Sequence, residues 1–217
     1  SDLREHDRVR FLISQATSIQ SAVADLLVRA ESQIANGRLM AQGDDSAAQL
    51  LLQVLATDPD NERATKGLQQ VTATVIAQTQ QMLNQGEIGS AQAMLDLAET
   101  EGLNATPIAS MREVIDSEIT RQRQIAVGLE QASVLFDQGF LTAPEPNNAV
   151  ALLQEVLRLD PDNEQADRQL RQCANRLAEV ALQARGVDML DQAREYLALA
   201  LSIQPDVEQW KRWQNEW

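Results

Sequence analysis

The sequence predicts an all-α protein, a superhelix (solenoid) of antiparallel helical hairpins built from two tandem units. A segment beginning at residue 47 recurs 102 residues later, and apolar residues return at helical spacing. Only nine glycines and six prolines interrupt 217 residues, which also favours helices. Self-similarity at a fixed interval is typical of stacked helical units, each of which buries its apolar face only against a neighbour.

The repeated segment sets the boundaries of the units. Residues 47–64 align without a gap on residues 149–166, and the run DPDNE is identical in both. The other identical positions of the first copy are Ala47, Leu50, Leu51, Val54, Leu55 and Ala64. We therefore expect a first unit at residues 1–105, a second at residues 106–205, and a tryptophan-rich capping or connecting helix at residues 206–217.

Each unit begins with a long predicted helix. Apolar residues recur at helical spacing over residues 3–36, and Gly37 ends this helix. The stripe consists of Val9, Leu12, Ile13, Ile19, Val23, Leu26, Leu27, Ala30 and Ile34. The second long helix covers residues 108–137, begins after a threonine–proline pair and ends at Gly139. It joins the two units without a flexible linker, so one continuous superhelix is expected.

Shorter helices follow each long one. Asp45 or Ser46 caps the second helix, which Pro59 stops, and Asp60 or Asn61 caps the third. Glycine-containing turns of a few residues then require antiparallel packing. The third predicted helix ends near residue 85. The remaining helices are predicted at residues 90–101, 147–159, 163–185 and 188–203.

Several hairpins share a spacing in which alanine is followed by leucine four residues later and by proline eight residues beyond that. The instances are Ala47-Leu51-Pro59, Ala149-Leu153-Pro161 and Ala193-Leu197-Pro205, with Ala91-Leu95 followed by Leu103 in a fourth hairpin. This spacing resembles the tetratricopeptide (TPR) repeat family. The tryptophan and tyrosine of that family's first helix are missing, so these are degenerate repeats. The resemblance implies a superhelix that binds a protein or peptide and needs no cofactor.

A second likeness concerns the loop GFLTAPEPNNA at residues 139–149 and the helix after it. It is similar to extracytoplasmic segments of bacterial envelope proteins. This likeness implies a piece of a larger bacterial protein and favours the periplasm over the cytoplasm. No uninterrupted apolar run approaches the roughly 18 residues that a membrane span needs, so direct membrane insertion of this segment is not expected.

Charge and chemistry narrow the function. With 18 basic and 32 acidic residues the net charge is −14, which repels phosphate backbones and disfavours nucleic acid. His6 is the only histidine, and Cys173 is expected to fill a small buried position. Helix capping accounts for the acidic clusters Asp44-Asp45 and Asp58, Asp60, Glu62. We therefore expect no enzyme, no catalytic residue, no cofactor and no metal.

The function expected from the sequence is that of a protein–protein interaction scaffold. Polar residues on the first helix of each hairpin are the candidates for partner binding. They are Arg29, Gln33, Gln78, Gln81, Gln131 and Asn175. The alternative is a structural or oligomerisation module of a membrane-anchored envelope complex. In that module the long helices pair with another subunit, as in a homo-oligomer.

The last candidates are the three tryptophans. Trp210, Trp213 and Trp217 fall at i, i+3 and i+7, so they share one helix face. That face either caps the last hairpin or forms an aromatic patch for a partner. Burial of the indoles would favour the cap.

Overall fold

The computed structural model describes residues 2–40, 45–103 and 106–217, with side chains from residue 6 onward. Regular structure in these residues is entirely α-helical. The helices are α1 (Asp2–Ala35), α2 (Ala47–Thr57), α3 (Glu62–Asn84), α4 (Ile88–Thr100), α5 (Thr106–Asp137), α6 (Ala149–Leu159), α7 (Glu164–Gly186), α8 (Leu190–Ile203) and α9 (Glu208–Glu216). The predicted all-α class is confirmed. Asp44, part of one acidic cluster considered above, lies outside the described residues.

The helices form two compact units, Ser1–Ile119 and Thr120–Trp217, and the division falls within α5. In the first unit α1 packs on α2, α2 on α3, and α3 on α4. In the second unit α6 packs on α7, α7 on α8, and α8 on α9. The boundary expected at residue 105 follows the repeat rather than compactness, and it stays a prediction.

The core of each unit is built around alanine and leucine. Small alanine side chains let two helices approach closely, and leucine fills the space beside them. The alanine and leucine positions of the repeated spacing are buried in all four hairpins: Ala47, Leu51, Ala91, Leu95, Ala149, Leu153, Ala193 and Leu197. Helix pairs therefore pack in sequence along residues that the spacing singled out.

The two ends of the loop after the long helix are built in the same way in both units. Gly37 and Gly139 have φ of 71° and 83°, a left-handed conformation that glycine adopts without a steric cost. Two carbonyl oxygens after each glycine then accept hydrogen bonds from the start of the next helix. These bonds join Ala47 N to Arg38 O (3.1 Å), Ala48 N to Leu39 O (3.1 Å), Ala149 N to Phe140 O (2.9 Å) and Val150 N to Leu141 O (3.0 Å). The repeat thus extends to backbone geometry.

Serine and asparagine side chains begin four of the described helices. Asn61 and Asn163 each accept a hydrogen bond from the backbone N–H three residues later, both at 3.0 Å. Ser46 and Asn148 cap α2 and α6 in the same way. Such a cap satisfies a backbone donor that has no partner within the helix. Where the sequence left two caps open, the second residue of each pair is the cap.

The two buried caps have different partners. In the first unit, Ser46 Oγ donates to Glu101 Oε2 at 2.6 Å, which ties the start of α2 to the end of α4. In the second unit, Asn148 Nδ2 donates to the carbonyl oxygens of Thr142 at 3.2 Å and Pro144 at 3.4 Å. Asn148 therefore fixes its own preceding loop as well as the start of α6.

Only the second half of the apolar stripe on α1 is covered. Leu27 and Ala30 are buried, and Val23, Leu26 and Ile34 are partly buried. The four residues of the stripe nearest the N-terminus are exposed: Val9, Leu12, Ile13 and Ile19. At about 1.5 Å per residue, α1 is roughly three times as long as α2, so α2 reaches only part of it.

The helix α1 is long and apolar enough to cross a membrane, judged by length and composition alone. Its stretch His6–Ala35 holds an 18-residue window of mean hydropathy 1.3, of which 6% is buried. Uninterrupted apolar runs in the sequence are all shorter than this, because polar residues break the stretch. The structure therefore corrects the expectation that no segment is long and apolar enough to span a membrane. Signal sequences and core helices pass the same test, so the finding is weak evidence for an anchor.

Replacing Asn148 with alanine should lower the free energy of unfolding by about 1–3 kcal/mol, because the helix cap and the hydrogen bonds to two loop carbonyl oxygens are lost. Urea denaturation followed by circular dichroism measures this change. The matched control is Asn147→Ala, since Asn147 is exposed and adjacent; it should alter stability by less than about 0.5 kcal/mol. Equal effects of the two substitutions would contradict the role given to Asn148.

Candidate partner-binding groove

An apolar groove of about 820 Å³ opens on the first unit. One face of α3 forms its floor, the end of α2 forms one side, and the start of α5 forms the other. The lining residues are Leu55, Thr65, Leu68, Gln69, Thr72, Ala73, Ile76, Thr106 and Pro107. We call this the first-unit groove. Its size is within the range of sites that hold a small molecule or a peptide side-chain cluster.

Helical spacing on α3 creates the floor of the first-unit groove. Leu68 and Ile76 are half-buried, while Ala73 is exposed. The hydroxyl of Thr72 donates to the carbonyl oxygen of Leu68 at 2.8 Å, and that of Thr65 donates to the carbonyl of Asn61 at 3.1 Å. These hydroxyl hydrogens are used by the helix itself, so α3 offers mainly Leu68, Ala73 and Ile76 to a ligand, with the amide of the exposed Gln69 as a polar group beside them. The floor is therefore suited to apolar contact.

The first-unit groove is also electrically neutral in an acidic protein. None of the nine lining residues is ionisable, although the chain carries a net charge of −14. Burying such a surface under a partner requires no desolvation of a charge, which is a large cost in other settings. An apolar occupant is favoured over a charged one.

The second unit has an opening at the equivalent place, with different chemistry. Asp167, Leu170 and Arg171 line it and lie 102 residues after Thr65, Leu68 and Gln69. Its volume is about 360 Å³, and the residues at 203–207 complete it. Asp167 and Arg171 form an ion pair one helical turn apart. The two units therefore share a groove whose floor is apolar in one and charged in the other.

A further opening of about 520 Å³ lies between α5 and α6 in the second unit. It is lined by Val127, Glu130, Gln131, Val134, Leu135, Asn147 and Leu152. Gln131 is the one partner-binding candidate from the sequence that lines any opening described here. With a glutamate in its wall, this opening combines apolar surface with a negative charge.

The structure distributes the six polar candidates over four helices. Arg29 and Gln33 lie on α1, Gln78 and Gln81 on α3, Gln131 on α5, and Asn175 on α7. All are exposed except Gln33, which is half-buried. Arg29 forms an ion pair with Asp45. None of the six lines the first-unit groove, so this groove was missed by a choice that favoured polar residues.

The tryptophans lie in or against the second core. Trp210 and Trp217 are 6% and 8% exposed, and the partly buried Trp213 packs against the same cluster. The rings of Trp213 and Trp217 stack with centroids 5.7 Å apart. The Arg185 guanidinium lies 4.8 Å from the centroid of the Trp217 ring, and Arg194 donates to the Trp217 carbonyl oxygen. This burial favours the cap over the exposed aromatic patch.

The residues that could bind a metal or act as a nucleophile are dispersed over the described part of the chain. No group of three or more histidine, cysteine, aspartate or glutamate residues that could hold a metal occurs within the described part of the chain. Cys173 is buried, as the sequence indicates, and desolvation raises the pKa of its thiol to about 11. It is therefore a neutral thiol at physiological pH and a poor nucleophile.

Comparison with family models, with curated proteins and with solved structures gives no match to this chain. The arguments about function therefore depend on the molecule itself, namely its helix packing, its grooves and its exposed surfaces.

Truncating Trp210 to alanine should destabilise the protein by about 3–5 kcal/mol, because a buried indole is replaced by a cavity. The half-buried Trp213 provides the comparison, and Trp213→Ala should cost less. Thermal unfolding monitored by circular dichroism measures both. If Trp210→Ala leaves stability unchanged, the capping role is contradicted and the aromatic face is again a candidate for a partner.

Proposed function

We propose that this chain is a non-enzymatic protein-interaction scaffold, and that the first-unit groove holds an apolar segment of a partner protein. The observation that carries the proposal is the neutral, apolar groove of about 820 Å³ on a framework of sequential helix pairs. Helical hairpins that present a groove commonly receive an amphipathic helix or an extended peptide.

The finer assignment to degenerate tetratricopeptide repeats in a superhelix is part of this proposal. Its support is the burial of the alanine and leucine positions in all four hairpins, and the recurrence of loop hydrogen bonds after 102 residues. In that arrangement the first helices of successive hairpins line the binding surface. The position of the first-unit groove supports the proposal, because the first helix of a hairpin, α3, forms its floor.

The chemistry of the groove indicates what the partner presents. Leucine and isoleucine on the floor, with threonine hydroxyls bonded to their own helix, favour aliphatic or aromatic side chains at helical or alternate spacing. The net charge of −14 on the chain favours basic residues flanking this apolar segment, since long-range attraction speeds association. The partner segment is therefore expected to be apolar at its centre and basic at its ends.

The second unit supplies the substitution that tests the groove. Thr65→Asp combined with Gln69→Arg introduces the ion pair that Asp167 and Arg171 form in the second unit. An i,i+4 pair on a helix changes stability by only about 0.5 kcal/mol, so the fold should persist. Binding of an apolar segment should weaken by at least about tenfold, because the charges must be desolvated beneath it.

Selection of displayed random peptides on the wild-type protein, followed by titration calorimetry of the enriched sequences, provides the measurement. The matched control is the reverse change, Asp167→Thr with Arg171→Gln, which alters the second unit and should leave the affinity unchanged. Enrichment of apolar, basic-flanked peptides that lose affinity only with the first pair supports the proposal. Failure to enrich such peptides, or equal loss with both pairs, contradicts it.

A further inference from the structure

Three helices of this chain carry apolar residues in the same register. Positions 102 residues apart are equivalent in the repeat, and the i, i+3, i+7 pattern near the start of α5 falls on all of α9 and on the first half of α1. We call these residues the leading face. It consists of Ile108, Met111 and Ile115 on α5, of Trp210 and Trp213 on α9 with Trp217 directly after it, and of Val9 and Ile13 on α1, where the polar His6 holds the first position.

On α5 and α9 the leading face covers the hairpin that precedes it. Ile108 and Ile115 are 1% and 0% exposed and share the first core with Ala91, Leu95 and Ala98 of α4. On α9, the tryptophans share the second core with the corresponding residues of α8, on which α9 packs. The same register therefore meets the second helix of a hairpin in both units.

On α1 the leading face is uncovered. Val9 and Ile13 are 53% and 60% exposed, and Phe11, Leu12 and Ile19 beside them are exposed to a similar degree. Contiguous exposed apolar residues of this kind mark interaction surfaces in soluble proteins. On α1 the apolar residues stand at the positions that α5 and α9 use against α4 and α8. A surface that fits α1 is therefore expected to resemble α4 or α8.

A charged residue narrows the choice between these two templates. Arg112 of α5 binds Asp96 at 2.6 Å and Glu99 at 3.1 Å, and both carboxylates lie on α4. The hydrogen bond to Glu99 is the main cause that raises the pKa of Arg112. Arg10 of α1 occupies the position of Arg112 and is exposed.

The second unit shows the opposite combination. Ala198 and Leu201 of α8 stand where α4 has its two carboxylates, and Gln214 of α9 stands where α5 has its arginine. At these positions the first unit has both the arginine and the two carboxylates, whereas the second unit has neither. Arg10 at this position of α1 indicates that the surface it fits resembles α4.

We propose that the first half of α1 docks a helical hairpin whose second helix presents an alanine–leucine–alanine stripe flanked by two carboxylates three residues apart. Arg10 binds these carboxylates, and Val9 and Ile13 pack on the stripe. A second copy of this chain does not supply such a surface, because its α4 is already covered by α5 and its α8 by α9, without carboxylates. This docking face is distinct from the first-unit groove and does not depend on it.

The chain provides its own probe for this proposal. A labelled polypeptide of residues 61–103 contains α3 and α4 but lacks α5, so it exposes the α4 surface; residues 163–204 provide the equivalent α7–α8 probe. The full chain should bind the first probe in fluorescence anisotropy and bind the second more weakly. Helix gained on mixing, measured by circular dichroism, reports docking even if a probe is unfolded alone.

Charge reversal distinguishes this docking from unspecific adhesion. Arg10→Glu in the full chain should weaken binding of the first probe by at least about tenfold, and a probe carrying Asp96→Lys and Glu99→Lys should restore it. Ile13→Asp should also abolish binding. The matched control is Arg8→Glu, which makes the same charge change on a different side of α1 and should have little effect.

Four outcomes would overturn the proposal. One is the absence of both binding and helix gain. Another is binding that is indifferent to Arg10 and Ile13. The third is self-association of the full chain, detected by sedimentation, that Ile13→Asp abolishes, because the occupant is then a second copy. The fourth is cosedimentation with phosphatidylglycerol–phosphatidylethanolamine vesicles that Ile13→Asp abolishes, because α1 then binds a membrane.

Discussion

In both units the second helix of a hairpin shares its hydrophobic core with the helix that follows it, and this packing constrains the rest of the structure. Leu95 of α4 is fully buried in a core that also contains residues from the start of α5. In the second unit, α9 contributes its tryptophans to the core that contains α8. Packing of sequential helices against one another therefore completes the core of each unit.

The repeat keeps its framework and varies its surface. Loop hydrogen bonds, glycine conformations and buried alanines recur after 102 residues, whereas the caps and the groove floors differ. Thr65 and Gln69 stand where the second unit has the Asp167–Arg171 ion pair, and Ser46 stands where it has Asn148. Buried positions tolerate few changes because packing is dense, while exposed positions on a helix can change at little cost. The same backbone arrangement can therefore carry grooves of different chemistry in the two units.

The helices and their packing could be predicted from the sequence because their signals are local. The alanine–leucine–proline spacing, the glycines and the caps each act within a few residues. The binding surface could not be predicted in this way. Leu68 and Ile76 are apolar residues of α3, yet neighbouring helices leave both only half-buried in the groove. Periodicity shows which side of a helix is apolar, but the extent of its covering depends on distant residues, as the first half of α1 also illustrates.

The burial of Cys173 affects how the protein responds to its redox surroundings. The sulfur lies in the second core with a pKa of about 11, so neither an oxidant nor another thiol reaches a reactive thiolate on the surface. A folded molecule is thereby protected from cross-linking through its single cysteine, in a reducing or an oxidising compartment alike. Oxidation of this sulfur therefore requires at least local opening of the second core.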